Sequence, residues 1–208
     1  MTKNLPEKTV ERLSQYRRAL MLVLLNGKTN IFSHELAHLI HLTSVQVRRD
    51  IMLIGYSGSL RKGYDIKELV NKIGKIIDDD KVKKVAVVGI GNLGRAFLGY
   101  MKGKRAKIAI VAAFDNNPEK IDKIYGGIEC YHIDRIDEIV KKENISIGII
   151  TVPTEFAAEI AEKLVMAGIK GILNYTAQPL NVSPHVYLEE YDMITSLEKV
   201  SYFVKKAK

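Results

Sequence analysis

Val85-Ala86-Val87-Val88-Gly89-Ile90-Gly91-Asn92-Leu93-Gly94-Arg95-Ala96-Phe97 is the stretch whose reading decides the fold. An apolar run from Lys84 to Val88 meets three glycines at G-x-G-x-x-G spacing, and a helical pattern from Asn92 to Tyr100 follows at once. Each glycine has its own task in such a turn. Gly89 permits the tight reversal, Gly91 lets the backbone approach a pyrophosphate, and Gly94 lets the helix pack closely, while the helix N-terminus supplies a positive end. A second apolar run, Lys107 to Phe114, ends at Asp115, 21 residues beyond Gly94, where an acid can accept hydrogen bonds from a ribose 2′-hydroxyl. Asp115 would repel a 2′-phosphate, and Asn116 and Asn117 carry no positive charge, so NAD is favoured over NADP. Lys120 is the nearby residue that works against this preference.

Downstream of this unit the alternation continues. Ile133 to Lys141 reads as a helix, Ile147 to Val152 as an apolar strand stopped by Pro153, Glu155 to Ala167 as a helix and Gly171 to Tyr175 as a strand. Continuous apolar strands alternating with helices predict an α/β domain with a mostly parallel sheet covered on both faces. Leu188 to Lys206 is a final amphipathic stretch.

Upstream, Asp78-Asp79-Asp80-Lys81 is a charged segment that few core contacts can cross, which divides the chain into domains at 1–80 and 81–208. In the first domain, Thr9 to Leu25 has helical apolar spacing with Arg12, Arg17 and Arg18 between the aliphatics, and it stops at Asn26-Gly27. A short helix follows Ser33. A third starts at Thr43-Ser44-Val45-Gln46, a capping-box pattern in which the threonine oxygen takes the Gln46 N–H and the glutamine side chain returns the bond. Val47, Ile51 and Ile54 then face a core, leaving Ser44, Val45, Arg48 and Arg49 nearer the opposite side. Gly55, Gly58 and Gly63 punctuate a segment carrying Arg61 and Lys62 that reads as a small hairpin, and a helix from Ile66 to Ile77 closes the domain. This is the order of a winged helix-turn-helix. Ser44, Arg48 and Arg49 can reach base edges or phosphates, and Arg61 and Lys62 can follow the sugar-phosphate backbone or enter a minor groove.

Charge supports the division. Lys plus Arg exceeds Asp plus Glu by 8, and residues 1–64 hold 10 basic against 4 acidic side chains while the remainder holds 22 against 20. An anionic partner of the first domain is expected. Cys130 is the single cysteine, which excludes an intrachain disulfide and fits a reducing, cytoplasmic setting. The first residues lack a signal-peptide pattern and no apolar run is long enough to span a bilayer, so no membrane partner is expected.

His34-Glu35-Leu36-Ala37-His38 matches H-E-x-x-H literally, with His41 one turn further on. In a zinc protease the histidines would bind metal and the glutamate activate water. Here the motif lies on a short helix in a domain too small to supply a substrate cleft. Exposed polar residues explain it more simply, and no metal site and no catalytic residues are assigned.

Eight phrases recur together in one known family: RLSQYRRAL at 12–20, VQVRRDI at 45–51, KGYDIKEL at 62–69, VGIGNLGRAF at 88–97, AAFDNNPEKI at 112–121, ITVP at 150–153, AGIKGILNY at 167–175 and YDMITSLEKVSY at 191–202. By these the chain resembles, over essentially its full length, the Rex family of redox-sensing transcriptional repressors. The resemblance implies a homodimer with an N-terminal winged helix, a Rossmann-like domain and a C-terminal helix exchanged between subunits. It implies double-stranded operator DNA as partner and NAD, as NADH and NAD+, as regulatory ligand. Arg48 and Arg49 correspond to recognition-helix contacts, and Gly89, Gly91, Asn92, Leu93, Gly94 and Asp115 to the nucleotide site. Arg18, Tyr100 and Asp192 correspond to a switch, with NADH releasing the repressor from DNA. Four places depart from the family pattern: Arg61-Lys62-Gly63-Tyr64 lacks a leading glycine, Asn117 replaces an acid, Asp122 a glycine, and Thr176-Ala177-Gln178 an alanine-proline neighbourhood.

The leading functional reading is therefore a repressor that senses the NADH/NAD+ ratio. A small NAD-dependent oxidoreductase with a basic accessory domain is the alternative, although His132 and His185, its only histidines outside the first domain, sit in no recognisable catalytic phrase. A DNA-tethering module with a vestigial nucleotide site is a third.

Overall fold

A computed structural model of the protein describes residues 5–101 and 107–206. The chain divides into two compact units, Met1–Asp80 and Lys81–Lys208.

The first unit runs α1 (Glu7–Leu25), β1 (Asn30–Ile31), α2 (Ser33–Leu39), α3 (Ser44–Leu53), β2 (Tyr64–Asp65) and α4 (Ile66–Ile77). Leu13 and Leu20 of α1, Leu36 of α2, Val47 and Ile51 of α3 and Leu69 of α4 meet in one fully buried cluster. Burial of each such side chain contributes roughly 1.5–3 kcal/mol, which is what holds these short helices in place. The expected hairpin takes a different form. The Tyr64–Asp65 strand pairs antiparallel with Asn30–Ile31, ahead of α2, while the glycine segment itself makes a single bridge between Ser59 and Gly63. Arg61 and Lys62 lie in the loop that this bridge closes, and both are exposed.

Two α1 arginines expected between the aliphatics point inward instead. Arg17 is only 8% exposed and donates to Asp78 at 2.7 Å, so the start of the acidic segment is anchored to α1. Arg12 reaches Asp50 of α3 (Nε–Oδ2 2.6 Å, Nη2–Oδ1 2.8 Å).

The second unit begins β3 (Lys83–Val88), α5 (Asn92–Met101), β4 (Ile108–Asp115), β5 (Ile124–Tyr125), β6 (Ile128–His132) and α6 (Ile136–Glu143). It continues β7 (Ile147–Ile150), α7 (Ala157–Met166), β8 (Gly171–Asn174), β9 (Tyr187–Glu190) and α8 (Met193–Lys206). Among the described residues these strands form one seven-stranded sheet in the order β5-β6-β4-β3-β7-β8-β9. All its neighbours are parallel except β5 and β6. Side chains alternate between faces: Ala86 and Val88 pack toward Ile139 and Leu164, and Val85 and Val87 toward Leu98 and Cys130. Strand order reverses between β3 and β7, and the crevice beyond the carboxyl ends of such strands is where α/β sheets bind ligands.

The stretch read as Leu188 to Lys206 splits in two, the strand β9 at the sheet edge and the helix α8. Asp122, at the family's glycine position, has φ +57°, a left-handed conformation that glycine adopts freely and aspartate tolerates. Asn174 is fully buried, and its Oδ1 accepts both the Thr176 N–H and hydroxyl (3.0 and 2.9 Å), which fixes the loop that departs from the family sequence. Among the described residues no helix is long and apolar enough to cross a membrane.

Candidate nucleotide site and nucleic-acid face

The glycine turn sits at the point where strand order reverses. Gly89 has φ +93°, and a Cβ there would lie 2.8 Å from the Thr151 backbone. A Cβ on Gly94 would lie 2.0 Å from the Gly89 carbonyl oxygen. On Gly91 it would meet nothing within 4 Å, because that position opens onto a cleft of about 420 Å³. Two glycines are thus required by neighbouring backbone and the third leaves room for a ligand. Asn92, exposed, and Leu93, half-buried, form the first turn of α5, whose free N–H groups and positive dipole end suit a pyrophosphate.

Asp115 ends β4 on the same cleft and is 6% exposed. Its Oδ2 accepts the Ile90 N–H at 2.7 Å and the Lys120 ammonium at 3.0 Å, and Oδ1 accepts the Asn117 N–H at 2.9 Å. Burial alone would raise its pKa, but these bonds from Asn117, Lys120 and Ile90 together hold it below its ordinary range. The carboxylate is therefore charged and already shared among three donors. The opposite wall is built by Thr151, Val152 and Pro153 after β7 and by Phe156 and Ile160. Sequence reasoning did not assign these wall residues. The apolar strand stopped by Pro153 and the ITVP phrase at 150–153 are the signals that touch them, since a residue's position at the reversal of strand order is a property of the sheet.

In the first unit the Thr43 Oγ1 accepts the Gln46 N–H at 3.2 Å and caps α3. The reciprocal half of the expected capping box is absent, because the Gln46 side chain instead donates to Asp50 Oδ1 at 2.9 Å. Asp50, 2% exposed, also accepts the Tyr16 hydroxyl at 2.6 Å in addition to Arg12, so α1 grips the buried side of α3 through one carboxylate. That grip leaves Arg48 and Arg49 exposed and Ser44 half-exposed. Arg48 also donates to Ser33 Oγ at 3.1 Å, bridging α3 to the start of α2.

Glu35 of the H-E-x-x-H phrase has its carboxylate occupied by Lys28 (2.5 Å) and by the Phe32 N–H that it caps (2.9 Å). It is not free to activate water. Among the described residues no group of three or more His, Cys, Asp or Glu side chains is placed to hold a metal ion.

Arg18 lies exposed on α1 and Tyr100 exposed near the end of α5. Asp192 precedes α8 and accepts the Ile194 N–H at 2.8 Å and the Thr195 hydroxyl, so in a single chain it caps its own helix. Beyond it Ile194, Leu197, Val200, Phe203 and Val204 are 58–70% exposed, apolar side chains of α8 that the described residues of the chain leave uncovered.

Comparison with known proteins gives two family models, a CoA binding domain over residues 80–178 and a putative DNA-binding protein N-terminus over residues 4–51. The redox-sensing transcriptional repressor Rex of Anoxybacillus flavithermus is 37% identical over 201 residues, which is 97% of this chain and 94% of that one. The chain belongs to the Rex family. The Rex repressor of Carboxydothermus hydrogenoformans is also 37% identical, over 97% of both chains. Among solved structures, the Rex-family repressor RSP in complex with NAD+ and operator DNA matches with a TM-score of 0.89 at 31% identity, over 98% of this chain and 94% of that one. RSP in complex with NADH matches at 0.87 and 30% identity, over 99% and 96%. The N-terminal winged helix and the Rossmann-like domain are thus the architecture of Rex structures.

Proposed function

We propose that this Rex protein is a transcriptional repressor that reads the NADH/NAD+ ratio and leaves its operator DNA when NADH binds. The observation that carries the reading is the open side of Gly91: a cleft of about 420 Å³ at the strand reversal, in a chain whose other unit presents Arg48 and Arg49 on a capped helix. RSP, similar over nearly the whole chain, has been solved with NAD+ and operator DNA and with NADH. Gly89, Gly91, Asn92, Leu93, Gly94 and Asp115 hold the nucleotide. Ser44, Arg48, Arg49, Arg61 and Lys62 meet the duplex. The working form is a homodimer whose α8 helices are exchanged, which would cover their exposed apolar faces, and its operator places it in the cytoplasm.

Nucleotide binding alone regulates nothing. The ligand must bind one arrangement of the dimer better than the other, and that difference in affinity is all the shift it can produce. The reduced and oxidised nicotinamides differ in charge and ring shape, so a cleft that closes differently on each supplies the difference. No hydride need move, and the oxidoreductase alternative has no feature in the cleft to favour it.

The test is a fixed-salt DNA-binding titration with NADH and NAD+ varied separately. Saturating NADH is expected to weaken operator binding about tenfold or more, a coupling of about 1.4 kcal/mol, with NAD+ competing for the site without that effect. Unchanged DNA affinity with either nucleotide would leave only a tether. Turnover of NADH with a small carbonyl substrate would favour the enzyme.

A further inference from the structure

We propose that Tyr191 is a positioning residue of the redox response: stacked on Tyr175, which packs against Phe97 of α5, it ties the helix of the nucleotide site to Asp192 and the start of α8. The inference rests on the reading of the cleft as the nucleotide site and of Asp192 as a switch residue.

The three rings form one continuous ladder. Phe97 and Tyr175 have ring centroids 4.8 Å apart with their planes tilted by 59°, and Tyr175 and Tyr191 lie 5.2 Å apart at 15°, a stacked pair. Their places in the chain give the ladder its two ends. Phe97 stands on α5, the helix that starts in the glycine turn, and Tyr100 follows it by about one turn. Tyr175 leaves the carboxyl end of β8, the second strand past the reversal of strand order. Tyr191 leaves the carboxyl end of β9, and Asp192 is the next residue. The backbone holds the same join: the Tyr175 N–H donates to the Ile150 carbonyl at 3.0 Å and the Tyr191 N–H to the Asn174 carbonyl at 2.8 Å. Glu190 adds a side-chain tie by accepting the Leu180 N–H at 3.0 Å. Coupling between distant groups travels through contiguous packed contacts of this kind. A displacement of α5 on the nucleotide moves Tyr175 through Phe97, and the stack passes that movement to the residue beside Asp192. Tyr191 is 52% exposed and Tyr175 half-buried, so the outer ring can be changed without opening the core.

Tyr191→Leu removes the ring and keeps an apolar side chain, while Tyr191→Phe keeps the ring. DNA affinity of the full-length dimer, at fixed salt with and without saturating NADH, is measured for both variants and the wild type, and NADH affinity by calorimetry. Tyr191→Leu is expected to shrink the NADH effect on DNA binding by about threefold or more, while NADH affinity without DNA changes by less than about threefold. Tyr191→Phe is expected to respond as the wild type does. Tyr175→Leu, alone and combined with Tyr191→Leu, closes a double-mutant cycle in which the double variant should respond no worse than Tyr175→Leu. Hydrogen exchange of the peptide at 187–192 in the wild type needs no variant, and its rates with NADH and with NAD+ should differ by about twofold or more. A wild-type response in Tyr191→Leu, an equal loss in Tyr191→Phe, additive losses in the cycle, or equal exchange with both nucleotides overturns the inference while leaving the sensor reading intact. A wild type whose DNA binding ignores NADH overturns both.

Discussion

Asp50 ties α1 to α3, because four hydrogen bonds from Arg12, Tyr16 and Gln46 converge on a carboxylate that is 2% exposed. Burial alone would raise its pKa, yet those bonds hold it below its ordinary value. Removing one partner strands the other charge, so Arg12→Ala is expected to cost about 3 kcal/mol, read as a shift of the urea midpoint at neutral pH. The pH dependence has a definite sign. A depressed folded pKa means that the stabilisation is complete above the unfolded value of about 3.9 and is lost as pH falls through the lower folded value. The wild type should lose stability in that acid window, and Arg12→Ala should lose less, since its carboxylate has less to forfeit. Cys130 gives a contrasting expectation. It is fully buried, and burial, followed by the nearby Asp115, pushes its thiol up to about 11. With so little thiolate, native protein should react with iodoacetamide on the order of a hundredfold more slowly than unfolded protein, as mass spectrometry over time would record. Alkylation as fast in the native as in the unfolded state would overturn the burial of this thiol.

Among the elements, α3 and the wing loop are proposed to divide the DNA contacts by kind. In the proposed complex Lys62 of the wing loop follows the sugar-phosphate backbone, so Lys62→Ala is expected to weaken binding to selected and scrambled duplexes alike and reduce the salt slope by about 1. Arg48, exposed on α3, is proposed to read bases, so Arg48→Ala is expected to cost about 1–3 kcal/mol of discrimination between the two duplexes. Equal affinity of the wild type for both across a salt series would exclude sequence reading. The helices that carry these residues are legible in the sequence because they rest on local signals: the Thr43 cap and apolar residues three and four apart. What escaped was non-local. The partner of the Tyr64–Asp65 strand is two residues long and lies before α2, too short to carry a pattern of its own. β5, which turns into β6 through Gly126 and Gly127, is also two residues long, and the edge strand β9 has only four. The sequence places Arg12 and Arg17 between the aliphatics of α1 without their partners, because an arginine's partner is invisible until α3 and Asp78 fold back against α1. In the cleft, the glycines and Asp115 were readable, whereas the commitment of Asp115 to three donors and the wall from Thr151 to Ile160 depend on the sheet.

At the scale of the whole molecule, the question is how a nucleotide in one unit changes what the other unit does, and Asp192 is where the expectation can be made sharp. In the proposed switch, Asp192 of the exchanged helix pairs with Arg18 in the DNA-binding form and approaches Tyr100 in the NADH form, which resets the separation of the two recognition helices against a fixed half-site spacing. In the single chain that carboxylate caps α8 through the Ile194 N–H and the Thr195 hydroxyl, so a simple truncation would confuse loss of the switch with fraying of the helix. Asparagine separates the two, because it caps helices about as well as aspartate while carrying no charge. Asp192→Asn should therefore keep α8 and the dimer intact, as sedimentation and circular dichroism would register, but weaken DNA binding without nucleotide and blunt the NADH response. Arg18→Ala should reproduce the first effect, although Arg18 need not touch DNA. Tyr100→Phe should reproduce the second, because it removes the phenol that donates to Asp192 and leaves the ring in place. DNA affinity measured with and without saturating NADH for all three variants decides the matter. Wild-type values throughout would mean that Asp192 only caps its helix, and the coupling would then have to run through the packing of α8 itself.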